Sequence, residues 1–289
     1  MVRIDPRSNY KSVFFNGKTV RQKIDPSRPI TAPRFAEIED VAINSKCFAN
    51  CPYCYTSATK SGNNFDDIVG KALDVWGSVS QNERPFQIAI GGAGESTIHP
   101  DWVPFVKTVR EMGIVPNYTT NGMHLTPKVV NGTVDYCGGV AISYHPHLKE
   151  IFNSSIKKLS FITRKGLKLN THLIIGDQKS LFDAQAIYET YKDEIDYFVM
   201  LPYQVAGRAT SIETDQTWKE MFIWIDSLPL NRQKQFAFGA LFYEWMLQNQ
   251  IPLKIDIYEP DIYSGYRIFD ESYKLLRKSS YNLTPKFEA

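Results

Sequence analysis

From residue 37 onward, short apolar runs alternate with longer stretches whose apolar residues recur every third or fourth position, the grammar of βα units around a parallel sheet. The pattern predicts strands over residues 38–43, 87–90, 115–119, 139–143, 170–175 and 197–201. Helices are predicted over residues 66–79 and 101–112, after Thr126, and over residues 147–165, 180–192 and 215–227. At roughly 30 residues per βα unit, residues 37–228 hold six such units rather than eight. Spacing alone therefore describes an α/β fold that is either a partial (β/α)6 barrel of the TIM type or a doubly wound open sheet.

Ahead of this core, residues 10–23 place Asn16-Gly17 between two β-prone runs, the strongest short-range hairpin signal, and Pro26, Pro29 and Pro33 make an extended approach. Behind it, residues 235–248 read either as a buried helix or as a strand followed by a helix, and residues 253–258 alternate like a strand. The segment from Tyr263 onward is expected to cap the mouth of the core. The expected organisation is one structural unit with an N-terminal hairpin extension (1–36), a core (37–228) and a C-terminal capping region (229–289).

A chain of 289 residues, 43% hydrophobic, buries a full core, and a net charge of +2 gives no bulk electrostatic case for nucleic-acid or membrane binding. The charge is uneven. Residues 1–37 carry eight basic side chains (Arg3, Arg7, Lys11, Lys18, Arg21, Lys23, Arg28, Arg34) against Asp5, Asp25 and Glu37, a local +5. Such an arm is either solvated or holds an anionic substrate. No apolar run approaches the ~20 residues that span a bilayer, and the start has no signal-peptide core. Four cysteines, three clustered and one remote, do not form a secreted disulfide framework, so a reducing cytoplasm is expected.

The cluster is Cys47-Phe-Ala-Asn-Cys51-Pro-Tyr-Cys54. Three thiols at this spacing would share a helix face, but Pro52 lacks a hydrogen-bonding N–H and clashes with a preceding helical turn, so the stretch reads as a loop that aims three sulfurs at one centre. Soft thiolates suit zinc or an iron-sulfur cluster. Structural zinc closes its tetrahedron with four protein ligands, and no second CxxC or HxxxH completes one here. Three ligands favour an open site, as in a cluster that leaves one iron free.

These residues resemble the CxxxCxΦC signature of the radical S-adenosylmethionine (radical SAM) enzymes, with Tyr53 as the aromatic. The resemblance tips the fold to the partial barrel. It implies a [4Fe-4S] cluster on Cys47, Cys51 and Cys54, S-adenosylmethionine on the unique iron, an electron donor such as flavodoxin or ferredoxin, and a 5'-deoxyadenosyl radical that abstracts hydrogen from a substrate. Residues beyond the carboxyl ends of the strands then become candidates for the cofactor. Gly91-Gly92-Ala93-Gly94-Glu95 is similar to the family's GGE element, with Ala93 inserted, which implies that the backbone at Gly92, Gly94 and Glu95 meets the cofactor's amino group; a side chain at Gly92 or Gly94 is expected to weaken cofactor binding and leave iron in place. Asn121 lies in a Thr-Asn-Gly run like the family's, Ser143 ends the fourth strand where the family uses a polar side chain, Ile174 partly matches the position that packs on adenine, and Arg208 falls in a family-like Gly-Arg-Ala run as a carboxylate clamp.

No catalytic residue is named by these motifs. Cys137 precedes the fourth strand and is expected at the opposite end from the site as a small buried hydrophobe, whereas His145 and His147 follow that strand and should face the mouth, as substrate contacts, proton carriers or solvated loop residues. With one cysteine to spare there is no supply for an auxiliary cluster, which counts against the two-cluster peptide maturases. Even so, the Tyr, Phe and Trp content of the C-terminal region suits a clasp for an extended chain, so a peptide substrate is expected, with a nucleobase or nucleoside as the alternative. The rival of another class is a zinc- or cluster-binding module without catalysis.

Overall fold

The computed structural model describes residues 1–289 apart from residues 16, 32, 34, 164–166, 252–263, 280–281 and 289. Three N-terminal strands, β1 (Val2–Asp5), β2 (Tyr10–Phe15) and β3 (Lys18–Lys23), make an antiparallel sheet of their own. Phe15 pairs with Lys18, so the expected hairpin forms around a two-residue turn in which Gly17 adopts φ +76°, a region open to a residue without Cβ; Asn16 lies outside the described residues. Glu37 ties this sheet to the core, its buried carboxylate accepting hydrogen bonds from the Tyr10 hydroxyl and from Arg21 Nη2 at 2.6 Å.

Strand and helix then alternate: β4 (Ile38–Ala42) and α1 (Ile68–Ala72), β5 (Gln87–Ile90) and α2 (Trp102–Glu111), β6 (Val115–Thr120) and α3 (Pro127–Tyr136), β7 (Gly139–Ser143) and α4 (Lys149–Thr163), β8 (Lys168–Ile175) and α5 (Gln178–Tyr191), β9 (Tyr197–Pro202) and α6 (Asp215–Ser227). The helix expected over residues 66–79 is shorter, α1 passing into a π-helical turn, Leu73–Gly77, that buries Trp76. The chain continues through α7 (Leu230–Gln233), β10 (Phe236–Phe238), α8 (Ala240–Gln248) and the strands β11 (Ser264–Ile268), β12 (Leu275–Ser279) and β13 (Asn282–Glu288).

Strands β4 to β9 are parallel neighbours in sequence order within a sheet that runs β10-β9-β8-β7-β6-β5-β4-β11-β12-β13. A doubly wound sheet reverses its strand order at a switch point, and no reversal occurs between β4 and β9, so the fold is the partial (β/α)6 barrel. Two further parallel strands extend it, β10 beside β9 and β11 beside β4. Residues 235–248 thus resolve as strand then helix. The segment after Tyr263 joins the sheet at β11; its strand pattern is disguised by Arg267, a buried cation whose Nε donates to Glu39 Oε2 at 2.8 Å. The strand predicted over residues 253–258, and Tyr263 itself, lie outside the described residues.

Each helix closes the sheet by a narrow apolar stripe. On α2, Trp102, Phe105, Val106 and Val109 are buried at helical spacing, and truncating a side chain like Trp102 to Ala costs about 3–5 kcal/mol. Thr126 caps α3 through Val129 N–H, with Pro127 in the first turn, and Asp177 caps α5 through Ser180 N–H. On β8, Leu169, Leu173 and Ile175 join the core beneath α5, which leaves Asn170, His172 and Ile174 on the interior face of the barrel. Tyr258, Tyr263 and Tyr281, part of the expected C-terminal clasp, lie outside the described residues. Trp218, Phe222, Phe242 and Trp245 pack on one another between α6 and α8, with Phe222 and Phe242 fully enclosed.

Candidate active site

The cysteines occupy a long excursion between β4 and α1 that is closed at its neck. Ser45 N–H donates to Asn63 O at 2.9 Å, Cys47 N–H to Thr59 O at 2.8 Å, and Phe65 N–H to Ile43 O at 3.1 Å. Within it, Asn50 and Ser57 take positive φ (50° and 54°), letting the chain fold back twice in the way a helix could not. The three thiols are near enough to sense one another. Burial pushes Cys51 up to about 12, with Cys47 and Cys54 adding to it and Arg208 opposing; burial also raises Cys47, against a hydrogen bond from Asn121 Nδ2 to its sulfur at 3.6 Å. Such thiols hold their protons until a metal displaces them.

Residues from four other strand ends brace this loop. After β5, Gly94 lies where a Cβ would meet Lys46 O at 2.6 Å and Lys46 N at 2.7 Å, and Glu95 N–H donates to Lys46 O at 2.8 Å. After β6, Asn121 reaches Cys47. After β7, His147 Nε2 bonds Ala49 O at 3.0 Å. After β9, Gly207 (φ +60°) packs where a Cβ would meet Cys54 O and Tyr55 O, both at 2.4 Å, and Arg208 donates from Nε to Cys51 O at 3.0 Å and from Nη1 to Ala58 O at 2.9 Å.

The expected cofactor residues divide accordingly. Gly92 (φ +87°) sits in an open turn beside Tyr55 and Tyr266, its carbonyl accepting from the Tyr55 hydroxyl at 2.8 Å, while the Thr56 hydroxyl donates to Ala93 O at 2.9 Å. Gly94 instead belongs to the packing of the cysteine loop, so the expectation that a side chain there would spare iron is corrected: backbone stands against backbone and neither can yield. Glu95 supports the neighbouring turn through its side chain. It is 4% exposed, and its carboxylate accepts from the Thr97 and Thr120 hydroxyls at 2.6 and 2.7 Å and from Asn121 N–H at 2.8 Å, which fixes the Thr-Asn-Gly turn. Arg208 engages loop carbonyls through Nε and Nη1, a staple across the cysteine loop. Ser143 ends β7 beside His172 of β8, and its hydroxyl makes no hydrogen bond among the described residues.

Tyr53 and Ile174 meet in a pocket of about 140 Å³ at the ends of β7, β8 and β9, walled also by Tyr144, Leu173, Tyr203 and Ile212. The Tyr53 hydroxyl is 3.0 Å from His145 Nδ1, and burial, reinforced by His147, pushes His145 down to about 4, so the imidazole is neutral at pH 7. Both histidines after β7 therefore touch the cysteine loop. Cys137 caps the C-terminal end of α3 before β7, at the opposite end of the strands.

Two interior residues escape the motifs. Asp40 shares a lateral row with Tyr266, Ala89 and Asn117; it is open to water yet walled in by the barrel, and desolvation lifts its carboxyl to about 6. His172 stands beside Ser143 and is pushed down to about 4 by burial. The alternation of β4 held the signal for Asp40, since Val41 faces the core.

No protein-family model matches the chain. It is similar to Streptococcus suis SuiB bound to precursor peptide SuiA, with a TM-score of 0.62 and 14% identity over 87% of this chain and 62% of that one. SuiB bound to S-adenosylmethionine matches at a TM-score of 0.63, with 13% identity over 85% of this chain and 60% of that one. The chain shares the fold of SuiB. A further structure of that fold, anSMEcpe with bound AdoMet and the Cp18Cys peptide, matches at a TM-score of 0.56 with 9% identity over 87% of this chain and 76% of that one. In sequence, the chain is 24% identical over 172 residues to the 7,8-dihydro-6-hydroxymethylpterin dimethyltransferase of Methanocaldococcus jannaschii, a stretch covering 59% of this chain and 30% of that relative. The chain thus spans less than two thirds of SuiB and under a third of the pterin enzyme. Among the described residues no helix is long and apolar enough to cross a membrane, and no three His, Cys, Asp or Glu side chains are gathered tightly enough to hold a single metal ion. A four-iron cluster sets its thiolates at the corners of a larger body, and the braced three-thiol loop fits that group.

Proposed function

We propose that the protein is a radical SAM enzyme whose Cys47, Cys51 and Cys54 hold a [4Fe-4S] cluster and whose substrate is a peptide. The observation that carries the enzyme reading is the convergence of Gly94, Asn121, His147 and Arg208 from four strand ends on one three-cysteine loop. Cys47, Cys51 and Cys54 would hold the cluster, which would supply the single electron that reductive cleavage of S-adenosylmethionine needs. The chain's own residues hold and shield the reactants. The Asn121 amide stabilises thiolate at Cys47. The open turn at Gly92 lets backbone approach a ligand without a side chain between them. Tyr53, Ile174 and Leu173 offer an apolar wall for a flat base. Asp40, Asn170 and His172 line the interior where a substrate would lie, and a filled barrel excludes water from the radical.

The peptide reading rests on the peptides bound by SuiB and anSMEcpe. The pterin named for the sequence relative favours a nitrogen heterocycle, so a nucleobase or nucleoside remains the second reading. Release of 5'-deoxyadenosine by the reduced enzyme, followed against a panel of peptides and nucleosides at two salt concentrations, decides between them. Peptides should accelerate release with weak salt dependence. Acceleration by a nucleoside alone would overturn the peptide reading.

A further inference from the structure

A second opening flanks the cysteine loop and shares no residue with the pocket at Tyr53. It is a groove of about 380 Å³ lined among others by Lys46, Phe48, Ile98, His124 and Lys128. Phe48, which lies between two of the cysteines, is 44% exposed; its ring rests on His124 with centroids 5.6 Å apart, and Lys46 Nζ stands 5.6 Å over it. A large aromatic held in the open by a cation and an imidazole is poorly explained by packing.

The charge of this groove is one-sided. Its lining contains no carboxylate, and neither Lys46 nor Lys128 pairs with one among the described residues. Lys128 lies in the first turn of α3, a turn without an acidic residue, where the helix macrodipole disfavours a cation by about 0.3–1 kcal/mol. The groove also adjoins the metal-binding loop directly: Lys46 and Phe48 bracket Cys47 in the chain, and His124 is three residues beyond Asn121, whose amide touches the Cys47 sulfur.

We propose that this groove is the docking face for a small acidic electron-transfer protein of the flavodoxin class. The inference rests on the radical SAM reading, because a cluster that must be reduced from outside needs a surface close to its ligands where a donor can land while the mouth is occupied. A basic rim with one exposed aromatic at its centre suits a weak, electrostatically steered encounter. In the step itself one electron leaves the flavodoxin hydroquinone, which becomes the semiquinone, and the oxidised cluster takes it up; no atom is transferred.

The test is anaerobic stopped-flow reduction of the reconstituted holoenzyme by flavodoxin hydroquinone and, separately, by dithionite. The double variant Lys46→Glu/Lys128→Glu should slow reduction by flavodoxin about tenfold or more at low salt, the steered part of the rate. Reduction by dithionite should stay within about twofold of wild type, and oxidised flavodoxin should bind the variant more weakly in calorimetry. Lys219→Glu, on α6, is the control for net charge and should change neither rate. Equal flavodoxin rates in wild type and double variant, or equal slowing by Lys219→Glu, would overturn the proposal. So would a double variant that is reduced normally but no longer responds to an activating peptide, since the groove would then belong to the substrate. A wild-type protein that takes up no iron, or whose cluster dithionite cannot reduce, would instead refute the radical SAM reading and take the docking face with it.

Discussion

The two sides of the barrel mouth are built differently. On one side the cysteine loop is held by side chains and glycines that contact its backbone: Arg208 on the carbonyls of Cys51 and Ala58, His147 on Ala49, and Gly94 and Gly207 pressed against Lys46 and Tyr55. On the other side, at the ends of β7 to β9, Tyr53, Tyr144, Leu173 and Ile174 enclose a pocket, and Ser143 keeps its hydroxyl free of any described partner. Fixing the loop carbonyls fixes where three sulfurs point. Leaving the pocket walled largely by aromatic and aliphatic side chains leaves room for a ligand that enters and leaves. The difference teaches that the path of the cysteine loop is determined by the polypeptide itself, whereas the pocket is left open to a ligand.

That contrast predicts separable defects. The largest should follow from Cys47→Ala, Cys51→Ala or Cys54→Ala, each lowering iron from about four per chain to well under one after anaerobic reconstitution while circular dichroism stays native; Cys137→Ala, at the far end of the strands, should keep its iron. Next, Gly207→Val and Gly94→Val should lose iron and cofactor binding together, because the added Cβ meets backbone at 2.4 and 2.6 Å. Gly92→Ala meets nothing closer than 3.5 Å and costs only the strain of its positive φ, about 1–3 kcal/mol, so its iron should stay while S-adenosylmethionine affinity falls. Iron assay and ligand titration in parallel check the pair, and loss of iron in Gly92→Ala would erase the distinction between the two sides.

Arg208→Met should be milder. It leaves two loop carbonyls without their donor, at about 1–3 kcal/mol, and should show as faster iron loss to a chelator. Arg208→Lys should rescue little, since a single ammonium cannot span both carbonyls. Smallest is the pH response. His145 and His172 are lowered from 6.5 to about 4, so the folded state binds fewer protons than the unfolded one across that window and stability falls as pH drops through it. Asp40, raised from 3.8 to about 6, works in the opposite sense, favouring the fold as pH drops below 6. Denaturant unfolding at several pH values should show a shallower acid-side loss in His145→Gln/His172→Gln and a steeper one in Asp40→Asn.

Much of this architecture was legible in the sequence because it rests on periodicity and on turn chemistry. The six core strands fall within two residues of their expected ends, and Thr126 and Asn16-Gly17 marked a helix start and a hairpin from local rules alone. What stayed hidden depends on distant partners. Arg267 disguised β11 because a buried cation is readable only with Glu39 across the sheet, and β10 is too short to show a period. At the site, motif matching identified positions but not the supporting contacts made by the Gly94 backbone, the Glu95 carboxylate and the Arg208 guanidinium. Composition likewise cannot tell surface aromatics from those, such as Phe242 and Trp245 of the C-terminal region, that fill the core.

The central claim is that the braced three-thiol loop holds a cluster that cleaves S-adenosylmethionine. Its most direct test is to reconstitute the protein anaerobically, reduce it with dithionite in the presence of S-adenosylmethionine, and measure iron, sulfide, methionine and 5'-deoxyadenosine together. The account predicts about four irons and matching sulfide per chain, with 5'-deoxyadenosine and methionine released in equal amounts and both abolished in Cys51→Ala. One bound zinc, no iron and no 5'-deoxyadenosine would contradict it and leave the metal-binding module in its place.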